Sequence, residues 1–139
     1  MKIGFPVGRS HLITAPILLA LLIALTDPPA AMAHARVVRS NPEPNAELQE
    51  SPSRIELWFN ELLDDGFHAI EVFASREIKS PQRTDMADGK ATVDPDDRTH
   101  LTVKIHELSP GEYVVQWRVL SRDGHSAPGR LIFRVIEDK

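Results

Sequence analysis

Short segments in which apolar and polar residues alternate follow one another along the chain from about residue 36 onward. In the clearest of them, Ile55, Leu57 and Phe59 fall on one face of an extended segment, as expected for a half-buried strand. Residues typical of turns, mainly Asn, Asp, Gly and Pro, separate these segments. The pattern predicts strands at Arg36–Ser40, Arg54–Asn60, His68–Ser75, Lys90–Val93, Leu101–Ile105, Glu112–Ser121 and Leu131–Val135.

This succession of short strands predicts an all-β fold, an Ig-like Greek-key β-sandwich of about seven strands. No long helical period interrupts it, and residues 60–67 can hold one helical turn at most. The polar segment Ser80–Gly89 is predicted to be a loop, and Pro128-Gly129 a turn before the last strand. We therefore expect one domain with one hydrophobic core.

The first 33 residues have the pattern of a secretory signal peptide. Lys2 and Arg9 supply positive charge, and the following run Leu12–Leu25 is almost entirely apolar. A membrane anchor is the competing interpretation, but an anchor needs about 20 apolar residues to span the bilayer and this run is shorter. The expected organisation is a signal peptide at residues 1–33 followed by an exported domain at residues 34–139.

Two cleavage sites are compatible with the residues around position 33. Ala31-Met32-Ala33 fits the small-x-small rule, and cleavage there would make His34 the first residue of the mature chain. Ala33-His34-Ala35 fits the same rule, and cleavage after Ala35 would remove His34. We predict the first site, because a terminal histidine would have a chemical use.

Charge and cysteine content exclude several kinds of partner and site. The full chain has a net charge of −4, and removal of the first 33 residues makes it one unit more negative, which argues against nucleic acid as a partner. The chain contains no cysteine, so it has neither disulfides nor thiolate metal ligands. A metal site would therefore have to use His, carboxylate, Met or the amino terminus.

The most informative chemical pattern follows the predicted strand Glu112–Ser121. Asp123-Gly124 predicts a tight turn, and His125 comes two residues after the carboxylate. A hard oxygen and an imidazole nitrogen at close range suit a divalent metal such as Cu(II) or Zn(II). The same pattern is also common in solvated loops that bind nothing, so the interpretation depends on further donors.

A terminal His34 would supply two such donors. Its α-amine, with an ordinary pKa of about 7.7–8.0, and its imidazole Nδ1 can chelate one metal ion near neutral pH. With the imidazole of His125 and the carboxylate of Asp123, this gives three nitrogens and one oxygen, a tetragonal set that fits Cu(II) better than tetrahedral zinc. Glu61 is either a further oxygen ligand, a hydrogen-bond partner of a ligand, or a solvated carboxylate at a strand end.

Four segments resemble the CopC family of periplasmic copper-resistance proteins. They are HARVVRSNP at residues 34–42, IELWFNE at 55–61, GEYVVQWRVLSRDGH at 111–125 and GRLIFRV at 129–135. The resemblance implies a periplasmic Ig-like sandwich that binds copper at one end. The family's Cu(II) site would correspond to His34, Glu61, Asp123 and His125. An inner-membrane copper transport protein of the CopD type is the partner that the resemblance suggests, and we expect a monomer.

One departure from the family concerns methionine. Some members carry a Met-rich loop that binds Cu(I), because thioethers are soft ligands. The corresponding segment here, Glu77–Lys90, contains only Met86, and the two other methionines, Met1 and Met32, belong to the predicted signal peptide. We therefore expect Cu(II) binding alone.

The remaining histidines of the domain are predicted to take no part in the site. His100 and His106 have the opposite parity to the apolar residues of their strand, so we expect them to face solvent. His68 has no partner donor in the neighbouring sequence.

The leading functional hypothesis is a non-enzymatic periplasmic protein that binds Cu(II) to store, buffer or deliver it. The alternative is a copper-dependent oxidative enzyme similar to polysaccharide monooxygenases, which also combine an amino-terminal His with a second His. The small domain and the carboxylates beside the copper argue against it. A third possibility is an Ig-like interaction module without metal.

Overall fold

The computed structural model describes Met1, Gly4 and residues 35–137. The fold belongs to the unit His34–Lys139. Apart from Met1 and Gly4, the predicted signal peptide lies outside the described residues, and so does His34. The cleavage site and the domain boundary therefore stay predictions. The described residues form eight strands: β1 (Val37–Asn41), β2 (Glu47–Leu48), β3 (Arg54–Phe59), β4 (Ala69–Ala74), β5 (Ala87–Val93), β6 (His100–Ile105), β7 (Gly111–Leu120) and β8 (Ser126–Val135).

The strands form two four-stranded sheets, one in the order β1-β3-β6-β5 and the other in the order β2-β8-β7-β4. Neighbouring strands are antiparallel, except that β2 runs parallel to the end of β8. The predicted all-β sandwich is confirmed. The additional strand, β2, has only two residues, which is too short for an alternating pattern to reveal.

The alternating residues of the strands account for the core between the sheets. In β3, the side chains of Ile55, Leu57 and Phe59 are at most 2% exposed, and the intervening residues face outward. Phe59 also makes an edge-on contact with Trp117 of β7, with 6.5 Å between ring centroids. The apolar face of one sheet is thus packed against that of the other, as the hydrophobic effect requires.

A second, smaller apolar contact lies on the outer face of the β2-β8-β7-β4 sheet. Phe73 of β4 is paired with Val114 of β7, and both side chains are fully buried although they point away from the core. The connection between β4 and β5 covers them, with the guanidinium of Arg83 4.5 Å from the Phe73 ring. This connection includes a single 3-10 turn at Ser75–Glu77.

The start of β8 differs from the prediction, because Pro128 and Gly129 lie inside the strand rather than in a turn. Gly129 pairs with Trp117, and a Cβ atom on Gly129 would lie only 2.4 Å from the Trp117 ring. The glycine is therefore needed for close packing rather than for a turn. In an antiparallel ladder, hydrogen-bonded pairs of residues alternate with pairs that are not hydrogen-bonded. Ser121 and His125 form a hydrogen-bonded pair, so by this alternation Arg118 and Pro128 do not. The backbone nitrogen of Pro128 therefore points away from β7.

Within residues 35–137, together with Met1 and Gly4, no helix is both long and apolar enough to cross a membrane.

Candidate metal centre

The loop Ser121–His125 connects β7 to β8 and carries two of the predicted ligands. Its backbone is closed by two hydrogen bonds, from Ser121 N–H to the His125 carbonyl oxygen at 3.0 Å and from Gly124 N–H to the Ser121 carbonyl oxygen at 2.9 Å. Gly124 has a φ of +86°, a conformation that glycine adopts without steric cost. The predicted turn at Asp123-Gly124 is confirmed.

The carboxylate of Asp123 is in direct contact with the imidazole of His125. Asp123 Oδ2 lies 2.9 Å from His125 Nδ1, and Asp123 Oδ1 accepts hydrogen bonds from the Ser121 hydroxyl and from the His125 backbone N–H. The hydrogen bond from Ser121, followed by those from His125, lowers the pKa of Asp123 to about 2. Asp123 is therefore an anion throughout the neutral range, and about half of its side chain is exposed.

The segment that follows β3 runs alongside this loop and carries Glu61. Leu63 forms an antiparallel bridge with Ser121, and the Leu62 carbonyl oxygen accepts the N–H of Arg122 at 3.0 Å. Glu61 directly precedes this bonded segment, and its side chain is partly exposed. The chain thus brings Glu61 to the same end of the sandwich as the loop.

The amino-terminal end of the described domain reaches the same place. Ala35 is buried in the core, and Arg36 exchanges two hydrogen bonds with Asn60, the residue before Glu61. Its N–H donates to Asn60 Oδ1 at 2.6 Å, and its carbonyl oxygen accepts the Asn60 N–H at 3.0 Å. Position 34 is therefore joined to a segment that is held next to Glu61, although His34 itself lies outside the described residues.

Only two of the four predicted ligands are brought into contact by the described part of the chain. Asp123 and His125 form a pair, but residues 35–137 contain no group of three His, Asp or Glu side chains that could hold a metal ion. Glu61 does not complete such a group. The proposed site would therefore depend on donors from His34.

His68 has a structural role that the sequence did not reveal. Its Nδ1 accepts the Leu120 N–H at 3.4 Å, so its Nε2 carries the proton and donates to the Asp64 carbonyl oxygen at 2.7 Å. The ring thereby joins the segment after β3 to the end of β7. Both ring nitrogens are therefore used in hydrogen bonds within the domain.

The expectation that His100 faces solvent is wrong. Its side chain is 13% exposed and stacks on Trp58, with 4.3 Å between ring centroids and 2° between the ring planes. The guanidinium of Arg39 covers the ring of Trp58 at 3.6 Å. Strand parity correctly placed His100 on the outer face of the sheet, but it cannot indicate that neighbouring side chains cover this face.

Two carboxylates complete the surroundings of His100. Its Nδ1 lies 3.4 Å from Asp94 Oδ2, and its Nε2 lies 3.3 Å from Glu56 Oε1. The buried Nε2 atom makes no hydrogen bond in the described structure, although Glu56 Oε1 is close enough for an ion pair. His106 is exposed, as expected.

Met86 is used for packing. It is partly buried and lies against the hydrophobic core, and its carbonyl oxygen accepts the N–H of His106 at 2.9 Å. This thioether therefore belongs to the interior of the sandwich.

Sequence reasoning missed Ser121, which is 1% exposed and bonded to both Asp123 and His125. A partial signal was available, since a serine beside a turn commonly bonds to nearby backbone groups, as Ser121 does with the His125 carbonyl oxygen. The contacts of Leu62 and Leu63 with the end of β7 left no comparable signal, because they depend on how the two sheets are packed.

Comparisons with known proteins agree on one family. A family model described as the CopC domain matches residues 37–136. The copper transport protein CutJ of Bacillus subtilis is 35% identical over 120 residues, which represent 86% of this chain but only 21% of CutJ.

Two crystal structures with a similar fold have names of the same kind. CopC from Methylosinus trichosporium OB3b has 27% identity and a TM-score of 0.66, with 76% of this chain and 97% of that chain covered. PcoC, a methionine-rich copper resistance protein from Escherichia coli, has 26% identity and a TM-score of 0.61, with 74% and 99% covered.

Proposed function

Because the chain belongs to the CopC family, we propose that it is a periplasmic protein of copper homeostasis that binds one Cu(II) ion. The observation that carries this proposal is the contact between the Asp123 carboxylate and the His125 imidazole in a short, internally bonded loop. The two donors would be completed by the amine and imidazole of His34. Glu61, which directly precedes the segment bonded to the end of β7, would supply an oxygen or a hydrogen bond to a ligand.

The chemistry of the donors favours Cu(II). Nitrogen and carboxylate oxygen donors in a tetragonal arrangement suit Cu(II), whereas Cu(I) is bound by thiolates and thioethers. The chain has no cysteine, and Met86 packs against the core. This differs from PcoC, which is named as methionine-rich. Residues 35–137 thus contain no thiolate and only one thioether, too few for an ordinary Cu(I) site.

Storage or delivery of the ion, rather than catalysis, would be its role. The relative CutJ is named as a copper transport protein and is about five times as long as the matched region. A separate inner-membrane protein of the CopD type is the partner we propose for this chain, with the chain itself acting as a monomer. The half-exposed side chains of Asp123 and His125 would allow an ion to enter and leave from solvent.

The experiment is a Cu(II) titration of the protein that begins at His34, in competition with a chelator of known affinity. The matched variant carries one additional Met before His34, which moves the amine and breaks the chelate ring without altering residues 35–137. We expect the extended protein to bind Cu(II) at least about 100-fold more weakly, since it loses ligands rather than their hydrogen-bond partners.

The His106→Ala variant serves as the control, because His106 is exposed and distant in sequence from the proposed ligands. Equal affinity and identical EPR spectra for the native and extended proteins would show that the amine is not a ligand. Tight binding of Cu(I) would contradict the choice of oxidation state.

A further inference from the structure

Ser121 is the residue at which the elements of the proposed site meet. It directly follows β7, forms the bridge to Leu63 in the segment that follows β3, and begins the loop that carries Asp123 and His125. Its side chain is almost completely buried, with 1% of the residue exposed. A serine in this position is surrounded by protein while the two donors beyond it remain half exposed.

The hydroxyl and the backbone of Ser121 both hold the loop. The hydroxyl contacts Asp123 Oδ1 and lies 3.1 Å from the His125 carbonyl oxygen. The backbone N–H donates to the same carbonyl oxygen at 3.0 Å, and the Ser121 carbonyl oxygen accepts the N–H of Gly124 at 2.9 Å. One buried residue thus fixes the rotation of the Asp123 carboxylate and the backbone position of His125.

Burial of a serine does not by itself have this consequence. Ser40 is the other serine among the buried residues of the described chain, 6% exposed, and its hydroxyl has no hydrogen-bond partner there. The two residues share their chemistry and their burial but differ in hydrogen bonding. Ser40 therefore provides a matched control for the loss of a buried hydroxyl.

We propose that Ser121 is a positioning residue of the Cu(II) site, acting through Asp123 and His125 without contacting the metal. This inference rests on the proposed function. An exposed carboxylate and imidazole normally occupy several rotamers, and ordering them opposes binding. Hydrogen bonds from a buried group place the donors before the ion arrives, and removal of such partners typically weakens metal binding by about 10–100-fold.

The test compares the Cu(II) affinity and the EPR spectrum of Ser121→Ala with those of Ser40→Ala. We expect Ser121→Ala to bind about 10–100-fold more weakly with a changed spectrum, and Ser40→Ala to match the native protein in both respects. Because Ser121 acts through its neighbours, Ser121→Ala should have a much smaller effect in a protein that already carries Asp123→Ala. If Ser121 only stabilised the fold, Ser121→Ala would lower the melting temperature of the metal-free protein, and its effect on copper affinity would be the same with and without Asp123→Ala.

The Ser121→Thr variant retains the hydroxyl and should preserve the native spectrum. If its extra methyl group prevents folding, the comparison of Ser121→Ala in the presence and absence of Asp123→Ala still decides. Native affinity for Ser121→Ala, alongside weak binding by His125→Ala, would overturn the inference but leave the proposed function standing. If His125→Ala also binds normally, the site is elsewhere and both proposals fail.

Discussion

Two histidines of this domain lie beside carboxylates, in opposite surroundings. His125 contacts Asp123 in a loop at the end of the sandwich and is 58% exposed. His100 lies between Asp94 and Glu56 on the outer face of a sheet, is 13% exposed and is stacked on Trp58. The same pair of chemical groups is therefore open to an ion at one place and closed at the other.

This difference shows what makes a histidine–carboxylate pair usable as a metal site. At His100 the stacked Trp58 ring and Glu56 belong to the neighbouring strand β3, and Asp94 directly follows β5, so entry of a metal would have to displace packed groups. At His125 the backbone is fixed by its own loop while the donors face solvent. We expect donors that are held in place and reachable from solvent to favour metal binding. Donors that are held in place but covered by other side chains are expected to stabilise the fold instead.

The largest expected difference is in copper affinity. His125→Ala should weaken Cu(II) binding by at least about 100-fold, because it removes a proposed ligand rather than a hydrogen-bond partner of one. His100→Ala should leave the affinity within about twofold of native, since its ring is covered by Trp58. Chelator competition on both variants measures this, and a similar loss in both would remove the distinction between the two histidines.

A smaller loss is expected for the carboxylates at the loop. Asp123→Ala and Glu61→Ala should each weaken Cu(II) binding by about 10–100-fold if these groups are weak ligands or orient the imidazole and amine. Glu56→Ala, which removes a carboxylate beside His100, is the control and should have no effect. A loss for Glu56→Ala as large as that for Asp123→Ala would show that the covered cluster also takes part.

The stability of the metal-free protein should depend on His100, although its copper affinity should not. His100→Ala removes a stacked ring, and we expect the free energy of unfolding to fall by about 1–2 kcal/mol. His106→Ala, at an exposed position directly after the strand that His100 begins, should change the free energy of unfolding by less than about 0.5 kcal/mol. Urea unfolding of the metal-free proteins gives both values, and equal stabilities would mean that the stack contributes little.

The smallest expected effect is a loss of stability at low pH, to which Asp123 beside His125 and Asp94 beside His100 both contribute. Hydrogen bonds from Ser121 and His125 lower the pKa of Asp123 to about 2, and those from Asp96 and His100 lower the pKa of Asp94. A lowered folded-state pKa stabilises the protein above the unfolded value near 3.8, and this contribution is lost as the pH falls through the folded-state value.

The melting temperature of the metal-free protein should therefore decrease between about pH 4 and pH 2. Asp123→Asn and Asp94→Asn should each make this decrease shallower. A melting temperature that is independent of pH over this range would contradict the role of these hydrogen bonds.

Prediction from the sequence succeeded where one face of a strand is buried. The alternating residues of β3 and β7 determined both their location and their inward faces, since burial follows the period of two. It failed at Gly129, because a glycine that makes room for Trp117 has the same sequence signature as a glycine in a turn. It also failed at His100, since coverage of an outer face depends on side chains from three strands.

For the proposed site, the described part of the structure shows only the contact between Asp123 and His125. Asp123 and His125 are close in sequence, and a turn of this type brings them into contact. Ser121 was overlooked because its importance arises from burial against Leu63, a residue far away in the chain. Glu61 and His34 stay predictions, because the described residues do not join them to the pair.

We expect Pro128 to limit association of the domain at high concentration. On the side away from β7, β8 is bonded to Asn45 at Ile132 and to β2 at its last residues, so the part around Pro128 forms a sheet edge in the described structure. An exposed edge is a template for adding the strand of another molecule, and this is how many β-sandwiches aggregate. Proline offers no N–H at that edge, so intermolecular pairing is interrupted next to the loop that carries the proposed copper ligands.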